Sequence, residues 1–162
     1  MNAESLDFKL NASTEDDIRS HLSGCDRQFS PPLSDRVDIG EYSRKLRLNA
    51  VTFEVWSGKS LVGMLAAYFD ARERSCFISN TSVSAEFSRR GVAARLLAAC
   101  LERARTERVE KVSLEVSQDS HPAISLYAKF GFEVVGHRGD FLKMQCTRLE
   151  LHDVSRGKGR DP

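Results

Sequence analysis

The sequence predicts a mixed α/β sandwich, one mostly antiparallel sheet with helices on its faces, and three observations carry that prediction. Val51 to Trp56 and Leu61 to Phe69 are apolar, strand-like runs separated by Ser57-Gly58-Lys59-Ser60, which reads as a hairpin turn. From Gly91 to about Arg105, Val92, Leu96, Leu97, Cys100, Leu101 and Ala104 recur at helical spacing, with Arg95, Glu102, Arg103 and Arg105 opposite. A strand, a shorter helix and a closing hairpin follow. The order is a meander, a helix crossing over to a strand, another helix and a last hairpin.

Leu6 to Leu10 alternates as a first strand. Ser13-Thr14, followed by Glu15, Asp16 and Asp17, caps a helix that carries Ile18 and Leu22 on one face and ends near Gly24. Pro31-Pro32 forbids regular helix over residues 25 to 37. A second helix runs from about Asp38 to Asn49, with Ile39, Tyr42, Leu46 and Leu48 as its apolar set. After the hairpin, Arg72-Glu73-Arg74 turns the chain into a strand from Cys76 to Val83. Beyond the long helix, Lys111 to Val116 alternates Val112, Leu114 and Val116 against Ser113 and Glu115. Ser120 caps the short helix, Pro122 is tolerated in its first turn, and Gly131 stops it. Phe132 to Val135 and Asp140 to Thr147 read as a closing hairpin around Gly136. Residues 1–150 form one domain and residues 151–162 a polar tail.

Composition narrows the function classes. With 24 basic and 23 acidic residues the net charge is +1, so no global field argues for nucleic acid or an anionic membrane. The longest apolar run, Leu61 to Ala67, is far short of a membrane span. The start, MNAESLDFKL, lacks a basic stretch followed by an apolar one, so no signal peptide is expected and the cytoplasm is. Cys25, Cys76, Cys100 and Cys146 are scattered, with no CxxC and no His at ligand spacing. They read as free buried thiols, with no metal site.

Val83 to Leu97, VSAEFSRRGVAARLL, is the most informative stretch. A strand runs through a short polar turn into Arg89-Arg90-Gly91-Val92-Ala93-Ala94, the opening of a helix. A helix N-terminus offers unpaired N–H groups and the positive end of the dipole, which together favour an anion. Gly91 has no Cβ to hold a phosphate off, and Arg89 and Arg90 add positive charge. A second block, LEVSQDSHPAISLYAKFGFEVVG, lies downstream over residues 114 to 136.

Together the two blocks resemble the GCN5-related N-acetyltransferase (GNAT) family over roughly residues 51 to 147. The Gln/Arg-x-x-Gly-x-Gly/Ala loop is matched by Ser88-Arg89-Arg90-Gly91-Val92-Ala93. The later pattern is matched by Leu114-Glu115-Val116, Ala123, Leu126-Tyr127 and Gly131-Phe132. Ser88 replaces the usual Gln/Arg, and Ser120 replaces the usual Asn, removing a side-chain amide that helps hold the cofactor. The resemblance implies a mixed, mostly antiparallel sheet with helices on both faces. It also implies acetyl-CoA as acyl donor, with no metal.

Acyl transfer to an amine needs the thioester held beside the amine, a proton removed from the amine, and the leaving thiolate stabilised. By resemblance, Thr81, Ser82 and Val83 hold the pantetheine arm as an extra strand would be held, where their strand splays from the one bearing Glu115. Tyr127 is the candidate general acid, since a phenol can give a proton to a departing thiolate. Glu115, on the polar alternate of its strand, is the candidate general base through a water; burial would have to raise its pKa from the usual ~4.3. Glu41, Tyr42 and the Phe29-Ser30-Pro31-Pro32 loop line the acceptor side by analogy. The histidines are dispersed, with His121 a capping or solvent-facing residue.

The function expected is direct acetyl transfer from acetyl-CoA to a primary amine, first that of a small molecule such as an amino sugar or amino acid. A protein N-terminal or lysine amine is the alternative within the class, and a CoA-binding module without catalysis the alternative outside it. The expected partners are acetyl-CoA and the amine, with neither nucleic acid nor membrane. The sequence leaves a homodimer open.

Overall fold

The structure, a computed structural model, describes residues 5–149; the tail expected over residues 151–162 lies outside that range. A seven-stranded sheet runs in the order β1-β2-β3-β4-β5-β7-β6, from β1 (Leu6–Leu10), β2 (Val51–Ser57), β3 (Ser60–Asp70) and β4 (Ser75–Val83) to β5 (Lys111–Ser117), β6 (Glu133–Arg138) and β7 (Phe141–Cys146). Every neighbouring pair is antiparallel except β4 with β5. The four helices are α1 (Glu15–Cys25), α2 (Ile39–Asn49), α3 (Val92–Thr106) and α4 (His121–Lys129). The fold class expected from the sequence is the one found.

Two cores form, one on each face. Val92, Leu96, Leu97, Cys100, Leu101 and Ala104 of α3, the stripe read from the sequence, pack with Val55, Leu65, Ile78, Leu114 and Tyr127. Fully burying a leucine such as Leu96 or Leu97 is worth roughly 1.5–3 kcal/mol. Ile18 and Leu22 of α1 and Leu46 of α2 cover Trp56, Leu61, Met64 and Ala66 on the other face. Gly63 brings α3 close to the sheet, since a Cβ there would stand 2.9 Å from Val92 Cγ1. All four cysteines are free and buried.

Glu54 is 1 % exposed and sits in the middle of β2. Its carboxylate accepts from the Ala12 and Ser13 amides, the Ser13 and Thr52 hydroxyls and Trp56 Nε1, all at 2.6–3.2 Å. So many donors replace water, and the carboxylate ties the β1–α1 turn to β2.

Two local expectations change. The last hairpin turns at Gly139, with φ 62°, and not at Gly136, which lies inside β6 at a register shift against β7. Ser120 occupies the N-cap position of α4, but its side chain makes no capping hydrogen bond. Residues 26 to 37 hold no regular helix, as expected, but two single 3-10 turns, Asp26–Gln28 and Leu33–Asp35, on either side of the prolines.

Candidate active site

The parallel junction of β4 and β5 is short. Ser75 to Ile78 pair with Lys111 to Leu114, and past that point the strands part. Ser79 is the extra residue of a bulge against β3, where Ala67 faces Ile78 and Ala66 faces Asn80. The bulge bends β4 away from β5. One edge of Ser79–Val83 is thereby left without a strand partner among the described residues, as the resemblance implies for Thr81, Ser82 and Val83. Thr81 Oγ1 is buried here, close to the Tyr127 phenol.

At the end of β4 the chain makes a 3-10 turn, Ala85–Phe87, and enters α3. Arg89 and Gly91 both take positive φ, 63° and 76°, which turns the backbone sharply into the helix. Arg95 N–H donates to the Gly91 carbonyl at 3.1 Å and is the first helical donor, so the amides of Val92, Ala93 and Ala94 before it have no helical acceptor. An open pocket of about 240 Å³ lies against Val83, Ser88, Arg89, Gly91, Ala93, Ala94 and Leu126. A Cβ on Gly91 would meet no protein atom within 4 Å. Ser88 Oγ is turned inward onto the Ala85 carbonyl at 2.8 Å, and Arg90 stacks over Phe87. The free edge and the unpaired amides fit an extended ligand that carries amides and a pyrophosphate.

Tyr127 projects from α4 into the core beside this gap, with its ring 5.6 Å from that of Phe132. Burial pushes its phenol above the usual value, with the nearby Thr81 hydroxyl opposing. The proton therefore stays on, as a proton donor requires. Glu115 lies on the opposite face of β5. Arg138 grips it in two-point fashion, Nε at 3.0 Å and Nη2 at 2.6 Å from Oε1. That hydrogen-bonded guanidinium holds the carboxyl below the usual range. The upward shift expected for Glu115 is thus reversed, because the ion pair outweighs partial burial.

The α1–α2 face of β4 carries a polar layer that sequence reasoning half saw. The Tyr42 hydroxyl lies 2.6 Å from Ser79 Oγ, so Tyr42 does reach the gap. His21, one of the dispersed histidines, is buried, with Nε2 2.9 Å from Ser82 Oγ. Ser82 donates to Asn80 Oδ1 at 2.9 Å, which assigns the Nε2–H tautomer to His21. Ile18, His21, Leu22 and Cys25 follow one helical stripe, and that spacing was the available signal. His121 is exposed at the start of α4, and Ser120 is half-buried at its cap. Among the described residues no group of His, Cys, Asp or Glu is placed to hold a metal.

Comparison with curated protein sequences gives no match. Among solved structures, paia N-acetyltransferase of Thermoplasma acidophilum in complex with coenzyme A superposes with TM-score 0.68 at 13 % identity, over 88 % of this chain and 99 % of that one. A spermidine N-acetyltransferase chimera from Vibrio cholerae and hSSAT gives 0.70 at 18 %, over 90 % and 97 %. The ribosomal-protein alanine N-acetyltransferase of Escherichia coli gives 0.70 at 14 %, over 98 % and 100 %. At such identities these likenesses speak for the fold. The sequence profile of the Acetyltransferase (GNAT) family matches residues 16–132, which include the β4–β5 gap, the α3 N-terminus and Tyr127. The chain belongs to the GNAT family of acyl-CoA-dependent acetyltransferases.

Proposed function

We propose that this protein is a cytoplasmic N-acetyltransferase that passes an acetyl group directly from acetyl-CoA to the primary amine of a small molecule. The observation that carries this reading is the β4–β5 gap with a free strand edge, an anion-ready helix end and a buried phenol around it. Thr81, Ser82 and Val83 bind the pantetheine arm along that edge. The amides of Gly91, Val92, Ala93 and Ala94 take the pyrophosphate, with Arg89 and Arg90 adding charge at the rim and Ser120 a weak contact beyond the gap.

The chain's own groups then divide the chemistry. The fixed edge orients the thioester, so the amine meets its carbonyl without a further entropic cost. The amine nitrogen bonds to that carbonyl carbon, the carbon–sulfur bond breaks, and Tyr127 gives its proton to the departing sulfur. Glu115, kept ionised by Arg138, shapes the acceptor side, and the amine proton leaves through water. The low pKa of Glu115 makes it a weak base.

Thiol release over a panel of amines, beside a calorimetric CoA titration, tests the reading. CoA binding with turnover of at least one amine is the expected result. CoA binding with no turnover of any amine, protein N-termini included, would put the interaction-module alternative in its place.

A further inference from the structure

The α1–α2 face of the sheet carries a cation that forms no ion pair with a described residue. Arg36 follows the 3-10 turn Leu33–Asp35 in the α1–α2 connection, and its guanidinium carbon stands 4.8 Å from the Phe141 ring centre. Phe141 is in register with Ser117 of β5 and Arg138 of β6. Ser117 is two residues beyond Glu115, so Phe141, Glu115 and Arg138 share one face, and Arg36 reaches over it from the helical layer. The connection thereby crosses the mouth of the β4–β5 gap on the side away from Tyr127.

The Arg36 backbone N–H caps the 3-10 turn on the Leu33 carbonyl, while its guanidinium makes no hydrogen bond or ion pair with a described residue. Arg138 is committed to Glu115, and Lys143 faces Glu115 across the β5–β7 pairing. Arg138, Lys143 and Arg36 all act on Glu115, so three cations surround one carboxylate. The charge left over is positive. Stacking on a ring orients a guanidinium as a flat fork, the shape that takes a carboxylate by two points. A polycationic amine would meet repulsion at this mouth, and an amino sugar would leave the fork unpaired.

We propose that Arg36 selects the acceptor by an anionic group, so that the acceptor is a small amino carboxylate, such as a free amino acid, and neither a polyamine nor an amino sugar. This inference rests on the acetyltransferase reading above and narrows it.

The experiment compares initial rates for wild type, Arg36→Gln and Arg36→Lys on free amino acids, their carboxamides, spermidine and glucosamine, at saturating acetyl-CoA. Wild type should prefer an amino acid to its own carboxamide by about 10- to 100-fold in kcat/KM, the range of one charge-assisted hydrogen-bond pair. In Arg36→Gln that ratio should collapse to within about threefold of one, through KM for the acid, while Arg36→Lys keeps part of it. A general loss of folding or activity would lower both partners of a pair together and leave the ratio intact, and that outcome overturns the proposal. Preference of wild type for spermidine, glucosamine or the carboxamides also overturns it while leaving the acetyltransferase reading standing. Turnover of none of these amines, with CoA binding intact, overturns this inference, and the acetyltransferase reading falls with it where protein N-termini are inert as well.

Discussion

Burial acts on Tyr127 in the direction an acid needs, because the phenol is pushed up and its ring is fixed against Phe132. Tyr127→Phe keeps the ring and loses the proton. The expected result is a fall in kcat of about 10²- to 10⁴-fold with acetyl-CoA affinity nearly unchanged, read from steady-state rates and a CoA titration. A loss smaller than about threefold, with chemistry rate-limiting, would return Tyr127 to a core role. Glu115 leads to a different expectation. Arg138 keeps it ionised throughout the assay range, so Glu115→Gln should lower kcat/KM by the same factor from about pH 7 to pH 9. A loss that shrinks as pH rises and free amine accumulates would restore Glu115 as the base. Tyr127 and Glu115 were both legible as residues, since each stands in a spaced motif. The Arg138 partner was not, because it comes from β6, whose register with β5 through β7 no local pattern fixes.

Among the elements, the turn from β4 into α3 is where backbone matters more than side chains. Ser88 is already satisfied by the Ala85 carbonyl, so Ser88→Ala should leave CoA affinity within about twofold. Gly91→Val should cost far more, because valine resists the positive φ and its bulk would occupy the open space beside the first-turn amides. Isothermal titration of both variants with CoA decides; equal losses would defeat the backbone account. The apolar stripe and N-terminus of α3 follow from helical periodicity and a Gly-containing junction, which are local rules. The last hairpin did not. Gly136 and Gly139 both offer a turn, and Gly139 is used because Phe141 must face Arg138 while Leu142 faces His137. Glu54 likewise looks like an ordinary polar alternate in β2, and only the folded β1–α1 turn supplies its donors.

At the scale of the whole molecule, the buried polar layer between α1 and β4 makes stability depend on pH. Burial holds His21 down to about 4, with its hydrogen bonds to the Ser82 and Leu61 backbone opposing. An unfolded histidine titrates near ~6.5, so between these values the unfolded chain takes up a proton that the folded one refuses. Stability is therefore complete above about pH 6.5 and declines as pH falls toward 4, by on the order of 3 kcal/mol in all. Urea midpoints across that range should show the slope, and His21→Gln should flatten it whatever its own effect at neutral pH. A slope unchanged in the variant would assign the acid sensitivity to other groups. This layer was hidden in the sequence because a lone histidine on an apolar stripe declares no partner until α1 docks on β4.

The short β4–β5 junction has a mechanical consequence. Among the described residues, four pairs make up the strand pairing that joins the four-stranded half, β1 to β4, to the three-stranded half, β5 to β7. The sheet is in effect two panels on a short hinge. A ligand lying along the free edge of β4 would brace them, so cofactor binding and rigidity of the smaller panel become one equilibrium. Amide exchange at Glu115 to Ser117, measured with and without CoA, should slow when the brace is present, while β2 and β3 stay unchanged. Equal protection in both states would mean that the hinge is already locked by the helices packed across it.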